Sequence, residues 1–236
     1  MKDGSIFSTG DITKRDEFAL SFSLAQIRGP ITALRLEVLP DYRLPAQGPG
    51  RAYYEGRKGD FFLSELKANA NNKAITFSSG SHDYGKIAVG SGNTNASNVF
   101  DGEGSTGWST AEREGQAHQL VLNFAKPVVA NGELKIEMLF ERHFAASLGR
   151  FRISVASSKT AAQAKQMPVR IESLLTRANA ALGDQERNEL KNYFLSVAPE
   201  LAGPRKEIEA LRKQLPAFPT TMVLRKRPRD NPRPTF

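Results

Sequence analysis

The stretch Asn98-Val99-Phe100-Asp101-Gly102-Glu103-Gly104-Ser105-Thr106-Gly107-Trp108 is the densest concentration of potential chemistry in the chain. Two carboxylates, a turn glycine and a threonine hydroxyl fall between Asp101 and Thr106, and the only tryptophan follows directly after Gly107. Asp101, Glu103 and Thr106 offer hard oxygen donors of the kind calcium takes, and carbonyls of a tight loop can complete such a set. The EF-hand pattern is not met. The same residues also describe a loop in which Asp101 caps backbone N–H groups and Trp108 plugs the end of a core. Both readings stay open at this level.

A second set of residues is suited to ligand hydroxyls. Arg113, His118 and Arg150 can hydrogen-bond them if the fold brings these side chains near Trp108, although Arg150 can equally pair with Glu141. Tyr54 sits in a Gly-rich loop. An exposed loop aromatic stacks on sugar rings, whereas a buried one fills the core. Trp108, Arg113, His118, Tyr54 and Arg150 are therefore the candidate ligand-binding residues. His82-Asp83-Tyr84 is a weaker candidate, since a histidine beside an aspartate is commonly a loop hydrogen bond. No catalytic residue is assigned. There is no Ser-His-Asp spacing, zincin motif, Walker loop or dinucleotide fingerprint. Glu37, Glu65 and Glu137 fall on expected strands, and a glycosidase would need two such carboxylates at a defined separation.

The elements that must position these groups change character near residue 158. Before it, short alternating runs are separated by turn clusters. Expected strands cover Phe18–Phe22, Ile31–Leu39, Phe61–Leu66, Ala74–Phe77, Ile87–Val89, Gln119–Phe124, Leu134–Phe140 and Phe151–Val155. The Ile31 run implies a register change near its start, and Asn131-Gly132 reads as a hairpin turn. This pattern predicts a β-sandwich or jelly roll. From about residue 166 the apolar period becomes 3.6. Pro168 opens a helix with Ile171, Leu174, Leu175, Ala178 and Leu182 as its stripe. A second helix follows Gly183-Asp184 and presents Leu190, Tyr193, Phe194 and Val197. A third opens at Pro204 with Ile208, Leu211 and Leu215. The expected organisation is a sandwich over 1–158, a helical hairpin or three-helix appendage over 159–219, and a strand with a basic linker over 220–236.

Composition narrows the function classes. The chain has 236 residues, 39% of them hydrophobic, which excludes wholesale disorder. Cysteine is absent, which excludes a disulfide framework, a thiolate zinc site, a cysteine nucleophile and covalent haem attachment within these residues. No apolar run approaches the ~18 residues of a transmembrane helix. The net charge of +8 is uneven: 1–158 carries 18 basic and 17 acidic residues, and 159–236 carries 15 and 8. A nucleic-acid binder would show a basic face through its folded part, so neither nucleic acid nor membrane is expected as a partner.

Two resemblances extend these readings. Asp101-Gly102-Glu103, Thr106 and Trp108, with Leu120–Phe124 and Gly149–Val155, resemble the galactose-binding-like, discoidin-type jelly roll. That resemblance implies a structural Ca2+ held by Asp101, Glu103 and Thr106. The late glutamate common in that superfamily has no counterpart in Ile153–Ser158. A wider set is similar to the central region of large secreted planctomycete proteins that carry a cytochrome-c-like domain. This set comprises Asp3–Ile6, Gly10–Lys14, Ile31–Glu37, Leu44-Pro45 with Gly48–Arg51, Tyr54–Gly56 with Gly59–Glu65, Leu148–Arg152, Thr221–Leu224 and Pro232–Thr235. It implies an extracytoplasmic location, neighbouring domains of the same parent chain as partners, and an interior segment of a longer protein. No haem is expected here. The expected function is a non-catalytic, carbohydrate-type binding module. The alternative is a structural, interdomain scaffold with no small ligand.

Overall fold

Period-two alternation in the first part of the chain becomes two antiparallel sheets. The structure, a computed structural model, describes residues 1–53, 56–88, 94–129, 131–141, 145–178 and 181–214. Nine strands form among them: β1 (Ile6–Phe7), β2 (Arg15–Ser23), β3 (Ile31–Val38), β4 (Glu65–Ala70), β5 (Lys73–Ile75), β6 (Phe77–His82), β7 (His118–Val128), β8 (Glu133–Glu141) and β9 (Arg150–Ala156). One sheet has the order β1-β9-β3-β7-β6 and the other β2-β8-β4-β5. They pack as a sandwich.

Strand β3 shows why. Successive side chains point to opposite faces, so Leu34, Leu36 and Val38 enter the core while Arg35 and Glu37 face outward. Leu120, Leu122, Phe124 and Phe151 join them from β7 and β9. Leu66, Leu134, Ile136, Met138 and Phe140 supply the opposing layer. Burial of each such side chain is worth ~1.5–3 kcal/mol. Phe18 bridges the layers, its ring 4.9 Å from Phe140 and 5.9 Å from Phe151. The register change near the start of β3 is a bulge between Ile31 and Ala33. On the outer face Glu37 is only 1% exposed. Arg152, its cross-strand partner on β9, grips it twice at 2.8 Å.

Several expectations shift. The connection around Asn131-Gly132 is not a hairpin, because β7 and β8 lie in different sheets. Gly132 instead turns the chain across the sandwich with φ +72°, where a Cβ would sit 2.0 Å from the Asn71 side-chain oxygen. The expected Phe61–Leu66 strand starts late, at Glu65, because Phe61 to Ser64 wedge into the core and Leu63 bridges to Trp108. Lys86 forms only an isolated bridge with Thr110, and Val89 lies outside the described residues. β6, Phe-Ser-Ser-Gly-Ser-His, has no alternating apolar pattern and is held by pairing with β7.

Two compact units divide the chain, the first ending at Gln166 and the second beginning at Met167. Residues 159–166 thus belong with the sandwich. They form a strap across the outer side of β6 and β7. Asn123 accepts from the Ala162 N–H and donates to its carbonyl at 2.7 and 2.9 Å. Ser81 accepts from Ala164 at 2.8 Å and Gln119 donates to the Lys165 carbonyl at 2.9 Å.

The second unit contains α1 (Val169–Leu175), α2 (Asp184–Val197) and α3 (Ala202–Lys213). α1 ends earlier than its apolar stripe suggested, so Ala178 and Leu182 fall outside it. Gly183, not Asp184, is the N-cap of α2, and the Glu186 carboxylate accepts its N–H at 3.1 Å. α3 begins two residues before Pro204. Among the described residues no helix is long and apolar enough to cross a membrane. Leu215, the expected strand at Thr220–Arg225 and the basic linker lie outside them.

Candidate functional site

Trp108 is a core residue. It is 0% exposed, its ring meets Phe61 edge-on at 5.2 Å, and its indole N–H donates to the Tyr84 carbonyl at 2.9 Å. The preceding Gly107 packs so tightly that a Cβ would lie 2.3 Å from the Leu63 carbonyl oxygen. No sugar ring can reach the indole face, which corrects the expectation that Trp108 stacks on a ligand. Of the two sequence readings, the structure takes the core plug.

The Asp101 loop closes on its own donors. Asp101 accepts from the Glu103 N–H at 2.9 Å and from the Thr106 hydroxyl at 2.8 Å. Glu103 takes part through its backbone, its carbonyl also standing 2.9 Å from the Thr106 hydroxyl. The sequence offered no hint of a further carboxylate here, that of Glu65 at the start of β4. Glu65 accepts from the Gly102 N–H at 2.9 Å. Burial pushes its carboxyl above the ordinary glutamate range, and the nearby Asp101 carboxylate adds to the rise. This donor set does not fit a calcium ion. Asp101 spends both oxygens on the loop, and among the described residues no three His, Asp or Glu side chains converge as a metal cluster.

The end of the five-stranded sheet where β3 finishes and β7 and β9 begin gathers more. Asp83, just past β6, accepts from the Gln119 N–H at 2.9 Å and stands 3.0 Å from His118 Nδ1. Tyr84 lies 5.0 Å from the His118 ring, and the Arg113 guanidinium sits 4.1 Å over the Tyr84 ring. Three of the predicted residues, Trp108, Arg113 and His118, thus meet around Tyr84. His118 is buried, however, and its Nε2 has no partner among the described residues. His82 bonds the Thr94 carbonyl. Tyr54 and His143 lie outside the described residues.

Arg150 stands at the β9 side of the same end, away from the Tyr84 group. It does not pair with Glu141, which Arg15 takes instead. It bonds Asp3 at 2.6 Å, Ser5 at 3.1 Å and Asp41 at 3.4 Å. Ser5 hydrogen bonds, joined by the Arg150 guanidinium, hold the Asp3 carboxyl well below the usual carboxylate range. Asp41 is lowered by hydrogen bonding from Arg43, against the opposing pull of burial. Arg43 lies 3.8 Å over the Phe7 ring and 5.7 Å from the ring of Tyr42. Tyr42 itself is 82% exposed. Tyr42 lies just past the expected Ile31–Leu39 strand, and no local pattern there marks its ring as exposed.

The glutamates do not form a catalytic pair. Glu37 is on the outer face of one sheet, Glu137 is on the outer face of the other, and Glu65, at the start of β4, is taken by the Gly102 N–H of the Asp101 loop. One further carboxyl is unusual. Asp60 is 2% exposed and accepts from the Ser109 hydroxyl at 2.7 Å and the Phe61 N–H at 2.9 Å. Burial, outweighing these bonds, pushes it up to about 7. Beside it Arg57 pairs with Glu114, linking the loop before Asp60 to the loop after Trp108. Comparison of the chain with protein-family models, curated proteins and solved structures gives no match.

Proposed function

We propose that the first unit is a non-catalytic, carbohydrate-type binding module, a discoidin-like, galactose-binding-like jelly roll within a larger extracytoplasmic protein. One observation carries the reading: Tyr42 is an almost fully exposed aromatic ring beside a fixed cluster of charged hydrogen-bonding groups. A pyranose presents C–H groups on one face and hydroxyls around its rim. The Tyr42 ring meets the first and the second falls to Asp3, Arg43 and Arg150. The Asp3 and Asp41 carboxylates supply acceptors, and the guanidinium groups supply donors. Because the partners of Arg150 already hold it, little side-chain freedom is lost on binding. The observed sandwich and the two sequence resemblances support the family and setting.

The test is Tyr42→Ala on a glycan panel with affinity measured by calorimetry. So exposed a ring contributes little to stability, so the melting temperature stays put while affinity falls about tenfold or more, the ~1.4 kcal/mol of one lost stacking contact. Binding that is unchanged in Tyr42→Ala, or absent from the parent chain across the panel, refutes the reading. A structural role is the second reading. The apolar side chains exposed on the helical unit favour it.

A further inference from the structure

Among the described residues the helical unit leaves two apolar surfaces without an occupant. The first is a groove between α1 and α2 of ≈ 400 Å³, lined by Leu175, Leu190, Tyr193, Phe194 and Val197. The second is the stripe of α3, where Ile208 and Leu211 stand at i, i+3. Leu175, Phe194, Val197, Ile208 and Leu211 are each between 49% and 64% exposed. α3 therefore does not fill the groove of its own chain. It runs on directly from the short turn Pro199–Leu201 that joins it to α2, with Arg205 donating back to the Ala198 carbonyl at 2.7 Å. An amphipathic helix and an apolar groove are the two halves of a common recognition mode. Here one chain carries both halves, and a short connection keeps them apart.

We propose that the occupant is a second copy of this chain, with α3 of each copy seated in the α1–α2 groove of the other. Reciprocal exchange across a short hinge closes with two-fold symmetry and leaves no open surface. Charge agrees with it. Lys191 is the one charged residue among those lining the groove. On α3, Glu207 lies beside Ile208 and one turn before Leu211. Neither Lys191 nor Glu207 has an ion-pair partner among the described residues. Area agrees as well. Five large side chains exposing on the order of 100 Å² each, counted in both copies, cover roughly 1,000 Å², the level at which a specific interface begins. The inference rests on the helical unit alone and is independent of the sugar reading.

Sedimentation equilibrium of the full chain tests it. The expected result is a monomer–dimer equilibrium between 25.9 kDa and twice that mass. Leu211→Glu, at an exposed position, keeps the helical circular dichroism and weakens dimerisation about tenfold or more. Lys191→Glu weakens it too, and the double variant Lys191→Glu with Glu207→Lys restores it, which a merely destabilised helix would not do. A single monomeric species up to about 200 μM overturns the proposal and leaves the groove to another domain. A dimer indifferent to both Leu211→Glu and the charge exchange overturns it equally.

Discussion

Asp60 makes the stability of the sandwich depend on pH in a direction opposite to that of ordinary surface carboxylates. Its carboxyl rises from 3.8 to about 7 on folding. Each unit is worth ~1.4 kcal/mol, so the displacement of roughly three units corresponds to about 4 kcal/mol as an upper bound. A raised carboxyl means that the folded chain binds the proton more tightly than the unfolded one. The stabilisation is therefore complete below about pH 4, declines as pH rises, and is lost once pH passes about 7. The groups facing Asp60 act on both sides. The Glu114 carboxylate favours the proton, while the Arg57 guanidinium and the Ser109 hydroxyl oppose it. Asp60→Asn keeps an oxygen for Ser109 and for the Phe61 N–H but cannot ionise. Urea denaturation followed by the fluorescence of Trp108, the one tryptophan and a core residue, reports unfolding of this unit directly. The variant should gain about 2–4 kcal/mol over the parent at pH 8 and lose that advantage at pH 4. Subtracting parent from variant cancels the remaining carboxylates. A difference that stays constant from pH 4 to 8 would falsify the assignment of a neutral, buried Asp60.

Removing Arg152 leaves the buried Glu37 to the longer contact with Arg35 at 3.7 Å, so Arg152→Ala should cost about 3 kcal/mol in the same assay, while the pair replaced together by Leu costs far less. An equal loss in both variants would show that the ion pair itself, and not the orphaned charge, carries the energy. Asp101→Ala removes two hydrogen bonds that close the loop before Trp108 and should destabilise by about 1–2 kcal/mol, with or without calcium. A melting temperature of the parent chain that rises by several degrees with millimolar calcium would restore the metal reading.

Strands with one wet and one dry face were legible because alternation is a local signal. β2 and β8 show it, and β3, β7 and β9 alternate in sequence although the strap and the Arg152–Glu37 pair cover much of the outer face. β6 did not, since its pairing with β7 lets serines stand where isoleucine or valine would be expected. Trp108 was located as a key residue, but the sequence left open whether it plugs the core or meets a ligand. Its burial comes from Phe61 and Leu63, far away in the chain, and no local pattern reports what a loop will meet. Asp83 and His118 are separated by 35 residues and meet only because β6 and β7 pair. The same holds for Arg150 with Asp3 and Asp41. Types and candidates could be read from the sequence, but the partners of each charge depend on long-range register, which one sequence leaves open.

The strap over β6 and β7 has a mechanical consequence. Met167 follows it directly, so tension applied along the backbone from the C-terminal side enters the sandwich through residues 159–166. Tension meets the contacts of Lys165 and Ala164 first and the paired bonds of Ala162 with Asn123 next, before it reaches β9. These bonds yield one after another, as a zip opens, rather than together as a sheared ladder does. Pulling the chain from its C-terminal side should therefore peel the strap at modest force before it loads β9, leaving the five-stranded sheet and the Tyr42 end whole.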